Sequence, residues 1–247
     1  MKRVPNLTGW IVFFVLASGL SYLIWVLLRH NYDWNAIRPY WKNLLSGWSV
    51  TLGISAVALI LSILFGVLLT IGQLSAFAPS RILSRLYVEF VRGTPLLTLI
   101  LIGYYVVANA LNWDNKITFG IAVLSLFAGT YLAEIFRAGV ETVSKSQWLS
   151  AKAIGLSPAQ TYRHIVLPQA IRRVLPASAG QFANLIKDSS LLYVIAVPEF
   201  TVQVRQANSN ALTSFEGFIP LAAGYLALTL PIFFLSRHLE KRFGFEQ

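Results

Sequence analysis

The chain has 247 residues, of which 56% are hydrophobic and only 12% charged, and its formal net charge is +10. Soluble domains carry about 25% charged residues, so this composition, with a mean hydropathy of +0.63, describes a polytopic membrane protein. Cysteine is absent and the three histidines, His30, His164 and His238, are far apart in the chain, which excludes disulfides, cysteine-ligated zinc, iron–sulfur clusters and thiol catalysis and leaves no expected metal site. The basic residues flank apolar runs and do not interleave with stacking aromatics, so the charge reads as membrane orientation and contact with anionic lipid or an acidic partner, not as nucleic-acid binding.

A helix crosses the hydrocarbon core with about 20 apolar residues, and six runs are candidates. The first, 10–28, is free of charge. It exceeds the ~7–15 residues of a signal-peptide core and no clear A-x-A site follows it, so a retained helix is expected. The second, 44–74, has length to spare. The third, 93–113, is interrupted near its start by Arg92, Gly93, Thr94 and Pro95, where glycine and proline allow a kink or local break. Tyr104 and Tyr105 lie deeper in that run, as packing, interface or path residues. The fourth run, 117–133, extends through Glu134; the fifth, 174–197, is interrupted by Lys187 and Asp188; the sixth is 217–236.

With the N-terminus in the cytoplasm, that side receives Lys2, Arg3, Arg81, Arg85, Arg92, Arg137, Lys145, Lys152, Arg163, Arg172, Arg173, Arg237, Lys241 and Arg242. The other side receives only Arg29, Arg38, Lys42, Lys116 and Arg205. Positive flanks fix orientation, so both termini are expected in the cytoplasm. The expected fold is all-α, with about six transmembrane helices: an N-terminal helix and extracytoplasmic loop over 1–43, a transmembrane domain over 44–242, and a cytoplasmic tail over 243–247.

Between the fourth and fifth runs lies a polar, basic loop, 137–173. Residues 146–154 read as a short amphipathic helix with Trp148, Leu149 and Ala153 apolar. Gly155 suits its C-terminal cap, where a positive φ is easiest for glycine. Ser157 caps a second short helix with Pro158 at its first position, and Pro168 is expected to end that helix. The loop is therefore expected to form a rigid knob: helix, glycine turn, helix.

Sites of chemistry are few. Residues 139–146 read G-V-E-T-V-S-K-S, but Ser144 stands where a phosphate-binding loop needs its second glycine and a membrane helix precedes it. The intramembrane charges are functional candidates by default. Glu89 and Arg92, and again Glu134 and Arg137, are three apart and can pair on one helix face near the cytoplasmic interface. Lys187 and Asp188 are neighbours and point about 100° apart on a helix, so each needs a partner elsewhere or the helix must break; they serve as a clamp or line a path. Gln181 and Asn184 can bond between helices or to a polar substrate. Paired carboxylates, nucleophile sets and histidine clusters are lacking, so no catalytic residue is expected.

Gly155, followed after nine residues by Ile165, Leu167 and Pro168, resembles the EAA loop of ABC importer permeases. Two further stretches resemble the polar amino acid branch of that family: Val91, Arg92, Gly93, Thr94, Pro95, Leu96, Leu97, and Lys187, Asp188, Ser189, Ser190, Leu191. The resemblance covers roughly 44–242. It departs at the start of the loop, where Leu149, Ser150 and Ala151 replace Glu-Ala-Ala, so a salt bridge from this position is not carried over.

The resemblance implies a bacterial inner-membrane permease subunit of an ATP-driven importer, with a coupling loop over about 141–173. Trp148, Leu149, Ser150, Ala151, Ala153, Gly155, Leu156, Ile165, Leu167 and Pro168 would dock on a cytoplasmic ATPase dimer. That dimer would carry the ATP and magnesium, with no cofactor in this chain. A second permease subunit, identical or related, an extracytoplasmic solute-binding protein and an amino acid substrate complete the implied partners. The expected substrate path comes from Thr94, Tyr104, Gln181, Asn184 and Ser189. The alternative class is a secondary transporter or channel for small polar solutes, for which inverted repeats would be the mark; none is evident in the sequence.

Overall fold

The computed structural model describes residues 7–29, 32–213 and 216–243; Lys2, Arg3, His30 and the tail beyond residue 243 lie outside them. The first predicted span is helix α1, Leu7–Arg29, with its described side chains largely exposed. The Asp33 carboxylate accepts from the N–H groups of Asn35 and Ala36 and starts α2, Trp34–Ile37. A short 3-10 turn, Arg38–Tyr40, leads into α3, Trp41–Leu74. At 1.5 Å per residue α3 is about 51 Å long, well beyond the ~30 Å hydrocarbon core.

Small residues decide how α3 packs on α6, Lys116–Glu141. A β-carbon on Gly66 would stand 3.0 Å from Leu132 Cβ and 3.1 Å from the Gly129 carbonyl oxygen, so the two backbones approach closely. The Thr70 hydroxyl lies 2.8 Å from the Gly66 carbonyl and 3.1 Å from that of Ala133, and Ser125 Oγ lies 3.4 Å from the Ala58 carbonyl. Residues 58, 66 and 70 thus meet 125, 129 and 133, and the helices run parallel. The return between them is made by α4, Ala78–Gly93, and α5, Leu96–Ile102, which runs on as a π-helical turn, Gly103–Ala108.

Helix α9, Leu167–Asp188, and the 3-10 segment that follows it lie antiparallel to α6, with Gly139 against Val174 at one end and Gly120 against Leu192 at the other. Helix α11, Phe218–Phe243, packs on α9: Ser236 Oγ donates to the Pro176 carbonyl at 3.0 Å and Lys187 Nζ lies 5.7 Å from the Phe233 ring centre. Ile54, Ala58, Ile100, Leu124, Ala128, Leu185, Leu192 and Ile195 fill the core between these helices.

Trp34–Leu74, Lys116–Glu141 and Phe218–Arg242 are each long and apolar enough to cross a membrane, and Ala78–Gly93 with Leu96–Ala108 qualifies as a pair. With α1 and α9 this makes an all-α polytopic membrane protein of about six spans. The break expected in the third span is present, as a bend of 104° after Gly93. Four features were not expected. The segment before that break is the amphipathic helix α4, with Val88 and Val91 buried. Arginines hid that helix from an apolar-run criterion. Pro168 does not end its helix: a π-helical turn, Tyr162–Val166, passes directly into α9. The wider turn accommodates a proline that lacks an N–H. The fifth run is α-helical only to Asp188, then tightens into a 3-10 segment, Ser189–Ile195, and reverses at Ala196 with φ 56°. Residues 200–211 form an unanticipated helix, α10, Phe200–Ala211, because its polar sequence falls between two spans.

Candidate functional site

The loop after α6 folds as a knob. Helix α7, Lys145–Ala153, ends at Gly155, whose φ is +79°. In that left-handed turn the N–H of Gly155 donates to the Lys152 carbonyl and that of Leu156 to the Ala151 carbonyl, at 3.1 and 3.0 Å. Ser157 and Gln160 then form a reciprocal capping box for α8, Pro158–Thr161. Inside the knob, Ala151 is buried and Trp148 sets its ring edge-to-face on Tyr162 with centroids 5.1 Å apart. Val143, Thr161 and Val166 are buried at its base.

The knob is joined to α9 beyond the chain itself, and α9 is joined beside it to the end of α6. Gln169 Nε2 donates to Gln147 Oε1 at 3.2 Å, and Arg173 Nη1 donates to the Thr142 carbonyl at 3.2 Å. Its outer face is apolar where a solvated loop would be polar: Leu149 is 67% exposed and Ile154 74%. Ser150, Ala153, Gly155, Leu167 and Pro168 are also exposed, whereas Trp148, Leu156 and Ile165 are half-buried. The resemblance-derived set therefore divides into a supporting interior and a presented surface. The 139–146 stretch is the end of α6 and the start of α7; Gly139 serves close packing on Val174.

At the same end of the bundle Glu134 joins three helices. Arg137 Nη2 and Nε donate to its carboxylate at 2.9 and 3.2 Å, Arg92 Nη1 of α4 reaches it at 3.1 Å, and Gln73 Nε2 of α3 at 3.1 Å. Arg137 Nη1 also holds Glu141 at 2.7 Å. The expected Glu134–Arg137 pair forms. The expected Glu89–Arg92 pair does not, because Arg92 turns away from its own helix to α6. Gln73, 2% exposed, was missed; a glutamine inside the otherwise apolar second run was its only signal.

The five expected path residues are not brought together. Thr94 Oγ1 donates to the Phe90 carbonyl at the end of α4. Tyr104 packs on Phe119 near the opposite end of the bundle. Gln181 is buried, Asn184 exposed, and Ser189 fully buried with its hydroxyl on the Ile186 carbonyl at 2.7 Å. No hydrogen bond or ring contact joins any two of these among the described residues. Lys187 finds the Phe233 ring, as a charge needing a partner on another helix would; Asp188 is half-buried at the helix end. Glu199, fully buried, was also missed: it caps α10 and bonds Tyr225 Oη at 3.1 Å.

Fold and knob together define a multi-pass helical membrane protein that carries a braced, outward-facing apolar knob. Residues 62–245 match the family model described as "Binding-protein-dependent transport system inner membrane component", and the chain belongs to that family, whose members are transport subunits and not enzymes. The probable glutamine ABC transporter permease protein GlnM of Bacillus subtilis is 36% identical over 198 residues, covering 80% of this chain and 92% of the relative. The glutamine transport system permease protein GlnP of Escherichia coli is 32% identical over 215 residues, covering 86% and 98%. A solved amino acid ABC transporter with histidines matches with a TM-score of 0.79 and 29% identity, over 86% of this chain and 100% of that one.

Proposed function

We propose that this chain is the permease subunit of an ATP-driven ABC importer of polar amino acids, with the knob over 145–166 as the part that a separate ATPase engages. The observation that carries this is the knob itself. It is rigid inside, braced to α9 where α9 meets the end of α6, and yet presents Leu149 and Ile154 to solvent. An apolar patch on a polar projection marks a docking surface. Relatives named for glutamine and for glutamate/aspartate import support the substrate class. The excess of Lys and Arg at the knob end supports a cytoplasmic knob with both termini on the same side.

In this proposal ATP and magnesium sit on the partner ATPase dimer. A second permease copy or relative completes the path, and an extracytoplasmic binding protein delivers the amino acid in the bacterial inner membrane. Closure of the ATPase moves the knob, and the knob tilts α6 and α9 so that the path alternates between its two openings. Thr94, Tyr104, Gln181, Asn184 and Ser189 remain the proposed path residues. Because they are dispersed here, they would converge only in another conformation or across the two permease subunits. The test is ATP hydrolysis in liposomes by this chain co-expressed with candidate ATPase and permease partners. Binding protein loaded with glutamine, glutamate, arginine or histidine should stimulate it. Uptake that persists without any co-purifying ATPase would favour a secondary transporter or channel instead.

A further inference from the structure

Helices α3, α4 and α6 enclose a half-open cleft of about 390 Å³ at the knob end of the bundle, lined by Gln73, Arg85, Glu89, Arg92, Glu134 and Arg137. Its charges fall into two groups. Glu134 is saturated by Arg92, Arg137 and Gln73. Arg85 and Glu89 form no ion pair or side-chain hydrogen bond among the described residues. They stand four apart on α4 with the cation on the N-terminal side, the weaker order for such a pair.

Gln73 supplies the third feature. Its Nε2 must face the Glu134 carboxylate to donate, which leaves Oε1 as the other end, and that oxygen is buried without a partner. Buried carbonyl oxygens are ordinarily satisfied, so an orphan in a cleft calls for a donor. The same cleft thus offers a free guanidinium and a free carboxylate, with an orphan acceptor buried beneath them.

We propose that this cleft binds a zwitterion, with its anionic group on Arg85 and its ammonium on Glu89, and with Gln73 shifting to present its buried Oε1 to the ammonium. An α-amino acid matches this chemistry and leaves room in the cleft for its side chain. Resting on the cytoplasmic placement of the knob proposed above, the ligand is imported amino acid acting from the product side. Bound there it ties α4 to α3, beside the Arg92–Glu134 link from α4 to α6, and so opposes relative movement of these helices. Phosphatidylethanolamine carries the same pair of charges in its headgroup and is the other source of this chemistry.

The experiment measures radiolabelled glutamine binding to the purified permease in nanodiscs of phosphatidylcholine and phosphatidylglycerol. Arg85→Gln and Glu89→Gln, both at exposed positions, should each weaken binding at least about tenfold, as expected for loss of a hydrogen bond to a charged group. Glutaramate, which lacks the ammonium, and 4-aminobutanamide, which lacks the carboxylate, should fail to compete. If glutamine does not bind but phosphatidylethanolamine is retained by the wild type and lost from both variants, the site stands and the lipid headgroup is its ligand. Equal glutamine binding and equal lipid retention in all three proteins overturn the proposal. Binding is read on the permease alone, so failure of ATPase coupling would remove the importer reading without touching this result, and the converse also holds.

Discussion

Replacing Gly155 tests whether the knob works through its left-handed turn. The residue sits at φ +79°, and a β-carbon there would meet no atom within 4 Å. Any loss must therefore come from backbone conformation and not from a clash within the chain. An ordinary L-residue in this region costs about 1–2 kcal/mol; asparagine costs less and a β-branched residue more. Since about 1.4 kcal/mol is tenfold in an equilibrium, Gly155→Val should reduce the population of the native turn by at least about tenfold. The bonds from Gly155 and Leu156 to Lys152 and Ala151 would go with it. Hydrolysis of ATP by the reconstituted complex, stimulated by loaded binding protein, should fall in the order Gly, Asn, Ala, Val. Full stimulation in Gly155→Val would refute a coupling role for the turn. An Asn variant as impaired as Val would refute the conformational cause and point to side-chain volume at the docked surface.

Leu149→Asp and Ile154→Asp each place a charge on the presented face of the knob without altering its interior; the partner ATPase should no longer co-purify, while the thermal midpoint of the permease is unchanged. Glu134→Gln removes the charge that joins α4 to α6. Because these side chains are 24–41% exposed, the loss should be modest, about 1 kcal/mol, and a double-mutant cycle with Arg92→Gln should give a coupling energy of that order; purely additive effects would deny the link. Gly66→Leu forces α3 off α6 where the backbones touch, and folded permease should be lost from the membrane fraction in a fluorescence-detected gel-filtration assay. Gln181→Leu should lower uptake while the complex still assembles, and unaltered uptake kinetics would remove Gln181 from the path.

Much of the knob was legible because its signals are local. Gly155, Ser157 and Pro158 each impose a backbone conformation on themselves or their next neighbours, and the structure follows them residue by residue. Pro168 misled because its usual effect assumes an α-helical turn before it, and here that turn is π-helical. Spans were legible from apolar length, but α4 and α10 were not: one lies among arginines and the other reads as a polar linker, so neither makes an apolar run. Partner choice was the least legible. Arg92 has Glu89 three residues away and still bonds Glu134, 42 positions along the chain, because tertiary packing of α4 on α6 offers a carboxylate that already holds Arg137 and Gln73.

The distribution of packing suggests how movement of the knob would divide the bundle in the proposed cycle. The knob continues into α9 through an unbroken π turn, and α9 is tied to the end of α6 through Arg173 and Thr142. Helix α3 follows α6, because Gly66 and Thr70 bring the two backbones into contact, with Phe65 packed over Gly129 beside them. Helix α4 is held differently. Beyond the buried Val88 and Val91, it is tied to α6 through Arg92, which pairs with Glu134 and lies 5.4 Å from the Tyr131 ring centre, a contact partly open to solvent and easily exchanged for water. A hinge already exists where α4 meets α5 at 104°. Tilting α6 and α9 would therefore carry α3 along, and with it α4 through the Gly72–Ser84 and Phe65–Tyr87 contacts, so that the strain falls at the bend before α5, at Gly93, Thr94 and Pro95.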